Sequence, residues 1–325
     1  MIAVSQPKLS IIVVFYRMAR QAENTLYSLS ANFQENVNEQ DYEIIAIEND
    51  SDDVLGEQRA LAQGGNIRYF HRQEAGVSPV PALNFGFEQS RADYIGHIID
   101  GARLVSPRVV EHALLAAKIA EHPLVVVPGY HLGEHEHHLH KTARYDETVE
   151  AALLERIDWK RNGYDLFTIS CFSGANPVGF FSKFLESNCL FCRRESFEKI
   201  GRADARFTLP GGGSVNIFIY HALARLPETR LIVLAGEGSF HQFHGGVTTM
   251  EVDDREAMLQ THRDNLKEVF GAPFQGMHRE PLVLGVLPGP VHRFVKASAE
   301  HAMEMHAYHR ATGTPTWQTP EDEAT

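Results

Sequence analysis

Cysteine is scarce in this sequence, and long apolar runs are missing. The 325 residues contain three cysteines, Cys171, Cys189 and Cys192, which are too few for the disulfide framework of a small secreted domain. Cys189 and Cys192 have C-x-x-C spacing, but no second pair accompanies them, so we expect buried packing rather than redox or zinc chemistry. No run of about 18 apolar residues occurs, and we therefore expect no transmembrane segment.

Positive charge is also in short supply. The chain has 30 Lys and Arg residues against 42 Asp and Glu residues, and its formal net charge is -12. Nucleic-acid binding requires clustered Lys and Arg, so we expect no nucleic-acid partner. Lys8 is the one basic residue before the first apolar run, which is unlike a signal peptide. We expect a cytoplasmic protein, either free or peripheral to the inner face of the membrane.

The sequence does contain a regular alternation of apolar strands and helical segments. The run 9–16 is almost continuously apolar and β-branched, which predicts a strand buried on both faces. A helical pattern over 20–30 follows it. Further strands are predicted at 42–47, 67–70 and 94–99, and further helices at 54–62 and 79–90. The short connections between these elements predict a parallel sheet with right-handed crossovers.

Polar residues are concentrated where three of the predicted strands end. The first strand ends at Tyr16, the second at Glu48 and the fourth at Asp100. In parallel sheets, ligands bind outside the carboxyl ends of the strands. Asp100 is followed by Gly101, which would let a ligand approach the backbone, and this combination suits a metal-bridged diphosphate.

Four segments, in order, resemble the signatures of family-2 glycosyltransferases with the GT-A fold. They are LSIIVVFY (9–16), YEIIAIENDS (42–51), ALNFG (82–86) and ADYIGHIIDGA (92–102). The resemblance implies an α/β fold of the GT-A type, with a Rossmann-like, mostly parallel central sheet flanked by helices. Residues 1–250 would form the glycosyltransferase domain, with a nucleotide-sugar-binding half at 1–105 and an acceptor half at 106–250. Helical patterns at 251–270 and 291–309 predict a C-terminal helical extension, 251–325, with a disordered tail.

The resemblance also implies a donor site for a nucleotide-sugar. Its residues would be Phe15, Tyr16, Glu48, Asn49, Asn84, Asp100, Gly101 and Ala102. Tyr16 would lie beside the base, and Glu48, where the family usually has Asp, would accept a hydrogen bond from a base that is commonly uracil. Asn84 would support the ribose or the diphosphate.

The resemblance implies a divalent metal, Mn²⁺ or Mg²⁺, at the diphosphate. Asp100 matches the first Asp of the family's D-x-D motif, but Ala102 replaces the second. A hard cation needs several oxygen ligands, so a lone carboxylate requires help. His241 and His244 resemble a downstream histidine that some GT-A enzymes use as a ligand, and imidazole would favour Mn²⁺. Alternatively, these histidines bind phosphate or backbone from a loop.

The catalytic base is the second departure from the family pattern. Inverting members use a carboxylate, often in a Glu-Asp pair, to deprotonate the acceptor hydroxyl. The corresponding region has no such pair, and the candidates that remain are Glu186 and Glu237. Gly211, Gly212, Gly213 and Asn216 fall in the acceptor region. The glycines would cradle an anionic group at a helix N-terminus, or else form a tight turn that needs positive φ at one or two of them.

A histidine-rich segment extends over residues 130–140. It holds five His and two Glu residues, which is compatible with a metal site. We favour a surface loop over the active site, in which His131 would be the histidine that reaches the substrate.

The sequence therefore predicts an inverting glycosyltransferase. It would move a sugar from a nucleotide-diphosphate donor, preferably a UDP-sugar, to a hydroxyl of a glycan or glycan precursor, in bacterial surface polysaccharide synthesis. One alternative is a non-catalytic nucleotide-sugar or glycan-binding module with a degenerate site. A nucleotidyltransferase ranks last, because the first strand is not followed by a Gly-rich basic loop. A homo-oligomer is one option for the assembly.

Overall fold

The structure, a computed structural model, describes residues 6–74, 76–137, 145–176, 178–181, 184–245, 255–271 and 279–313. In chain order its strands are β1 (Leu9–Tyr16), β2 (Tyr42–Asn49), β3 (Ile67–Arg72), β4 (Tyr94–Ile98), β5 (Arg103–Val105), β6 (Pro123–Val126), β7 (Gly129–Leu132), β8 (Ser170–Phe172), β9 (Leu190–Arg193), β10 (Arg230–Val233), β11 (Ser239–His241) and β12 (Leu282–Val283). Its helices are α1 (Ala19–Leu29), α2 (Glu57–Leu61), α3 (Val80–Gln89), α4 (Val109–Ile119), α5 (Glu147–Ile157), α6 (Arg194–Lys199), α7 (Val215–Arg225), α8 (Arg255–Phe270) and α9 (His292–Thr312).

A large sheet forms the centre of the fold, with the strand order β12-β10-β6-β9-β4-β1-β2-β3. Its neighbouring strands run parallel except for β9, which is antiparallel to both β4 and β6. The predicted α/β architecture, a mostly parallel central sheet flanked by helices, is confirmed. The predicted C-terminal helices are also present, as α8 and α9.

Strand β1 explains why the sheet is buried on both faces. Ile12 and Val14 belong to one apolar core, whereas Ile11, Val13 and Phe15 belong to the core on the opposite face. Successive side chains of a strand point to opposite faces, so a continuous apolar run supplies both cores at once. The strand predicted from this run has the same bounds in the structure.

The second helix is shorter than the pattern predicts. The sequence indicates a helix over 54–62, and the structure has only α2, Glu57–Leu61. Gly56 adopts φ +80, which cannot continue a right-handed helix. The backbone N–H groups of Leu55 and Gly56 donate instead to the carboxylate of Glu48, over 2.7 and 2.9 Å.

A small sheet, ordered β5-β11-β7-β8, lies beyond the carboxyl ends of the large one. Its strands β5, β7 and β11 directly follow β4, β6 and β10 in the chain. The register places four residues in one row across the sheet: Arg103, His241, His131 and Cys171. Directly paired residues share a face of a sheet, so this row forms one continuous surface.

This row corrects the expectation that His131 belongs to a surface loop. His131 lies within β7 and is buried. The last three residues of the expected loop, 138–140, lie outside the described residues.

The C-terminal helices pack on the main core. Leu266 and Val269 of α8 and Phe294 of α9 are buried members of that core. Among the described residues, no helix is both long and apolar enough to span a membrane. The tail expected to be disordered, 314–325, lies outside the described residues.

The cysteines behave as the sequence predicts for buried packing. Cys189 and Cys192 are free and buried, and burial raises the pKa of the Cys189 thiol to about 12. A thiol held protonated in this way is a poor nucleophile and a poor metal ligand.

Candidate active site

A cavity of about 1300 Å³ opens at the carboxyl ends of β1, β2 and β4. The residues predicted from the sequence that line it are Tyr16, Asn49, Asp100, His131, Glu186, Gly211, Gly213, Asn216, His241 and His244. Helix α8 contributes another wall, through residues that include Leu259, Arg263 and Lys267. The segment after residue 250 therefore takes part in the cavity.

Asp100 and the two downstream histidines meet at the floor of this cavity. The carboxylate of Asp100 lies 2.9 Å from Nε2 of His241 and 3.3 Å from Nε2 of His244, measured from different oxygens. The two Nε2 atoms are 3.0 Å apart. One carboxylate and two imidazoles within this distance could hold a divalent ion, and the mixed oxygen and nitrogen donors fit Mn²⁺ better than Mg²⁺.

The charges of this group favour metal binding. Burial alone would raise the pKa of Asp100, but the charges and hydrogen bonds of His241 and His244 outweigh it and hold that pKa well below its usual range. Burial, reinforced by the charge of Arg103, lowers the pKa of His241 to about 4. An ionised carboxylate and a neutral imidazole are the forms that ligate metal ions.

Glu186 is the one of the two candidate bases that faces the cavity. Its Oε1 accepts a hydrogen bond from Nδ2 of Asn188 at 3.2 Å, and Oδ1 of Asn188 in turn accepts one from Asn216. Burial raises the pKa of Glu186, the charge of Arg103 opposes that shift, and Asp100 adds to it. A carboxylate with a raised pKa is better matched to proton transfer near neutral pH.

Glu237, the other candidate, lies outside the cavity. Its Oε2 accepts hydrogen bonds from Oγ of Ser106 at 2.5 Å and from the backbone N–H of Arg108 at 3.3 Å. Its Oε1 accepts one from the hydroxyl of Tyr164 at 2.9 Å and lies 3.3 Å from Nδ1 of His112. The side chain is fully buried, so it has no access to an acceptor.

Glu48 is likewise committed to the protein itself. One oxygen accepts the backbone N–H of Leu55, and the other accepts the N–H of Gly56 and the hydroxyl of Tyr69, which is 2.5 Å away. The next residue, Asn49, lines the cavity, and its Oδ1 is buried without a hydrogen-bond partner among the residues that the structure describes. At the end of β2, Asn49 rather than Glu48 offers a free acceptor.

Asn84 and Phe15 are also placed by packing. The amide of Asn84 donates to the backbone carbonyl of Ala203 at 2.8 Å and accepts from its N–H at 3.2 Å, which ties α3 to the segment after α6. The ring of Phe15 is buried in the core. Neither residue lines the cavity.

The three consecutive glycines all have positive φ. Gly211, Gly212 and Gly213 adopt +66, +81 and +55, whereas the sequence argument required positive φ at one or two of them. The turn geometry therefore explains all three glycines without a ligand. Gly211 and Gly213 nevertheless line the cavity before α7.

The comparison with protein families decides the relationship. Residues 10–201, more than half of the chain, match the model of "Glycosyl transferase family 2". The chain belongs to glycosyl transferase family 2. An uncharacterized glycosyltransferase of Rickettsia felis is 28% identical over 128 residues, which cover 39% of this chain and 20% of that protein.

Solved structures give more distant matches. S. aureus TarS matches with a TM-score of 0.49 and 10% identity, over 82% of this chain and 40% of that chain. The mannosyltransferase PcManGT from Pyrobaculum calidifontis, in complex with GDP-Man and Mn²⁺, matches with a TM-score of 0.48 and 14% identity, over 96% of this chain and 77% of that chain. The chain thus spans a fifth of the Rickettsia relative and two fifths of TarS.

For a family-2 chain, the D-G-A sequence has a structural basis. The side chain of Ala102 is fully buried in an apolar core, so a carboxylate there would be buried away from water. A Cβ on Gly101 would collide with the ring of Phe15 and the carbonyl oxygen of Val14. Packing therefore requires Gly101, in addition to the approach of a ligand that the sequence suggested.

Arg103 is the residue of this family-2 site that the sequence analysis missed. It is 5% exposed, lines the cavity, and places Nη2 3.4 Å from the carboxylate of Asp100. Its Nε is buried and has no hydrogen-bond partner in the described part of the chain. The available signal was an arginine in an otherwise apolar segment, three residues after Asp100.

Proposed function

We propose that the protein is an inverting glycosyltransferase that uses a nucleoside-diphosphate-sugar, with a UDP-sugar as the first candidate, and glycosylates a hydroxyl of a saccharide or glycan precursor. One observation carries the proposal. A single cavity holds a metal-ligating group (Asp100, His241 and His244), a buried cation (Arg103) and a carboxylate of raised pKa (Glu186). Cytoplasmic location and a role in bacterial surface polysaccharide synthesis are part of the same proposal, by family analogy.

The diphosphate would bind at Asp100, His241 and His244. Their three ligand atoms lie within 4.8 Å of one another, which fits one divalent ion. When bound, Mn²⁺ or Mg²⁺ would offset the negative charge of the departing diphosphate. Arg103 would donate further charge-assisted hydrogen bonds to phosphate oxygens through its guanidinium group, including the Nε that has no partner within the described ranges.

The nucleoside would lie at the ends of β1 and β2. Tyr16 lines the cavity and is 52% exposed, so its ring is available to stack on the base. Oδ1 of Asn49 would accept the N–H of the base edge, the role that the resemblance gave to Glu48. Glu48 would instead shape this end of the cavity by fixing the backbone at Leu55 and Gly56.

Glu186 would act as the base. The acceptor hydroxyl loses its proton to the Glu186 carboxylate, its oxygen bonds to the anomeric carbon, and the bond from that carbon to the diphosphate oxygen breaks with its electron pair leaving on the diphosphate. A single displacement of this kind inverts the anomeric centre. Asn188 and Asn216 hold Glu186 in place through their chain of hydrogen bonds. The neighbouring Gly211 and Gly213 line the space that the acceptor would occupy.

Calorimetry tests the donor site. Wild-type protein titrated with UDP and with GDP, with and without Mn²⁺, should bind at least one of them with a dependence on Mn²⁺. Asp100→Ala should remove that dependence, while Asp41→Ala, at a surface ion pair with Lys8, should leave it intact. Binding of neither nucleotide under any condition contradicts the proposal, and an unchanged metal dependence in Asp100→Ala removes Asp100 from the metal site.

A second measurement separates an enzyme from a binding module. Release of the sugar from the bound donor is followed over a panel of saccharide acceptors and in water alone. Turnover is expected in wild-type protein and should be roughly 10²- to 10⁴-fold slower in Glu186→Gln, which lacks the proton acceptor. A protein that binds the nucleotide-sugar tightly but never releases sugar is a non-catalytic module.

A further inference from the structure

A second group of histidines lies beside the proposed diphosphate site. It consists of His131 in β7, His137 in the segment that follows, and His241 in β11, all buried. Their ring centroids are 4.6 Å (131 to 137), 4.9 Å (131 to 241) and 5.4 Å (137 to 241) apart. Each offers a ring nitrogen within 4.8 Å of the other two. The two groups share only His241.

The tautomer of His137 is set by its backbone contact. Nε2 lies 3.1 Å from the carbonyl oxygen of Leu132, which can only accept, so Nε2 carries the proton and Nδ1 keeps its lone pair. The ring stacks on Tyr145 with an interplanar angle of 18°, and Phe243 contacts it from another side. A histidine whose second ring nitrogen donates to a carbonyl is the usual arrangement of a metal ligand.

His241 is oriented in an equivalent way. Its Nε2 lies 2.9 Å from the Asp100 carboxylate, and the N–H there donates to that acceptor. This leaves the lone pair on Nδ1, which is buried with no hydrogen-bond partner among the ranges that the structure describes. A carboxylate, a histidine and an open ring nitrogen in series match the carboxylate–histidine–metal arrangement of zinc proteins.

His131 completes the group through the register of the small sheet. It pairs with His241 on β11 and with Cys171 on β8, so its position is fixed on both sides by strand pairing. Glu136 lies 3.9 Å from its Nε2 and adds negative charge beside the three imidazoles. Because two of the three histidines come from paired strands, the group is pre-organised.

We propose that His131, His137 and His241 form a binding site for a divalent ion of the Zn²⁺ class. Three imidazole ligands favour Zn²⁺ over Mg²⁺ or Ca²⁺, which prefer oxygen. His131 and His241 line the cavity, so the fourth position of a tetrahedral ion would face it and remain open to water or a ligand oxygen. The site needs no nucleotide, and it does not rest on the proposed function. His241 is shared by the two sites. Its Nε2 can either donate a proton to Asp100, as here, or ligate the ion of the proposed diphosphate site, so the two sites compete for this ring.

Zinc titration of the chelator-stripped full chain tests the site. Wild-type protein should bind about one equivalent of Zn²⁺ tightly, the stoichiometry of a single three-ligand site. His137→Ala should weaken this by at least about tenfold, a loss typical even of outer-shell changes. His135→Ala is the matched control, because His135 belongs to the same segment but is exposed, and it should leave the affinity unchanged.

Two outcomes of the zinc titration overturn the proposal. One is a Zn²⁺ affinity that is the same in His137→Ala as in wild type. The other is an equal loss in His135→Ala, which would indicate adventitious binding by the exposed histidines of the segment. A third variant, His244→Ala, assigns the ion: loss of Zn²⁺ there, with retention in His137→Ala, would place it at Asp100 and His244 instead.

Two further readouts keep the test independent of folding and of nucleotide binding. Wild-type protein loaded with Co²⁺ should show the intense visible absorption of a tetrahedral site, and the weak absorption of an octahedral ion would refute the site. Mn²⁺-dependent UDP binding by His137→Ala should stay at the wild-type level.

If wild-type protein binds Zn²⁺ as expected but neither UDP nor GDP, the proposed function fails and the zinc site stands. His137→Gln, with a longer polar side chain, repeats the zinc measurement if the alanine variant is unstable.

Discussion

The cavity around Asp100 and the junction around Glu237 both contain buried charged side chains, but they differ in how these are satisfied. At the junction, both oxygens of Glu237 have donors. At the cavity, Glu186 accepts a hydrogen bond from Asn188, and Nε of Arg103 and Oδ1 of Asn49 have no partner within the described part of the chain. Native proteins seldom leave buried polar atoms without hydrogen-bond partners, so unpaired donors and acceptors in a cavity mark a site that a ligand completes.

The largest expected effect comes from a substitution in the cavity, at Glu186. Glu186→Gln keeps the size of the side chain and its contact with Asn188 but removes the proton acceptor. The turnover number should fall by roughly 10²- to 10⁴-fold, the usual contribution of a general base, while the thermal midpoint stays close to wild type. Steady-state kinetics with the best acceptor check the turnover number, and thermal unfolding checks the thermal midpoint. Full activity in the variant would show that another group takes the proton.

The matching change at the junction should affect stability and not chemistry. Glu237→Ala leaves Tyr164 and His112 without their buried acceptor, and loss of one partner from such a network costs about 3–5 kcal/mol of the free energy of unfolding. Urea unfolding measures that loss. Nucleotide affinity of the folded variant should equal that of wild type. A stable variant with weakened nucleotide binding would contradict the structural role assigned to Glu237.

The contrast between the two sheets shows which parts of the fold could be predicted from the sequence. The longer elements around the large sheet come from local patterns: β1 has its predicted bounds, and α3 differs from its predicted bounds by one residue at each end. Such patterns record burial on one or both faces of a contiguous element. The alternating α/β class could therefore be predicted from local patterns, whereas its GT-A type came from the family resemblance.

The small sheet could not be predicted from local patterns. Its strands are three or four residues long and come from four separate parts of the chain. A strand this short carries no periodicity, and the pairing that puts His241 between Arg103 and His131 exists only after folding. The sequence could name Asp100 and His244 through a family resemblance, and it marked the histidine-rich segment that contains His137, but it did not indicate Arg103. Nor could it be predicted from the sequence that the carboxylates of Glu48 and Glu237 accept hydrogen bonds from neighbouring protein groups.

Substitution of Arg103 tests whether the unpaired hydrogen-bond donors of the cavity bind the nucleotide. Arg103→Gln removes the cation beside Asp100, and affinity for the nucleoside diphosphate should fall by about 1.5–3 kcal/mol, the worth of a hydrogen bond to a charged group. Arg17→Gln is the matched control: Arg17 also lines the cavity, but it is 60% exposed and paired with Asp52, so its loss should cost under about 1 kcal/mol. Calorimetry with UDP compares them, and equal losses in both variants would refute a special role for Arg103.

His97 is a buried residue with an unpaired polar atom outside the cavity. Its Nε2 has no hydrogen-bond partner among the described residues, and the side chain does not line the cavity. Burial lowers its pKa to about 3, whereas an unfolded histidine titrates near 6.5. Below pH 6.5 the unfolded chain binds a proton that the folded chain excludes. The free energy of unfolding therefore decreases by about 1.4 kcal/mol for each unit that the pH is lowered, which amounts to about 2 kcal/mol at pH 5. Urea unfolding at pH 7 and pH 5 should show this loss in wild type and a smaller one in His97→Gln. An identical loss in both proteins would mean that His97 does not carry the acid sensitivity. A positive result would show that an imidazole buried away from the cavity makes folding sensitive to acid, whereas the unpaired atoms of Arg103 and Asn49 lie where a ligand could reach them.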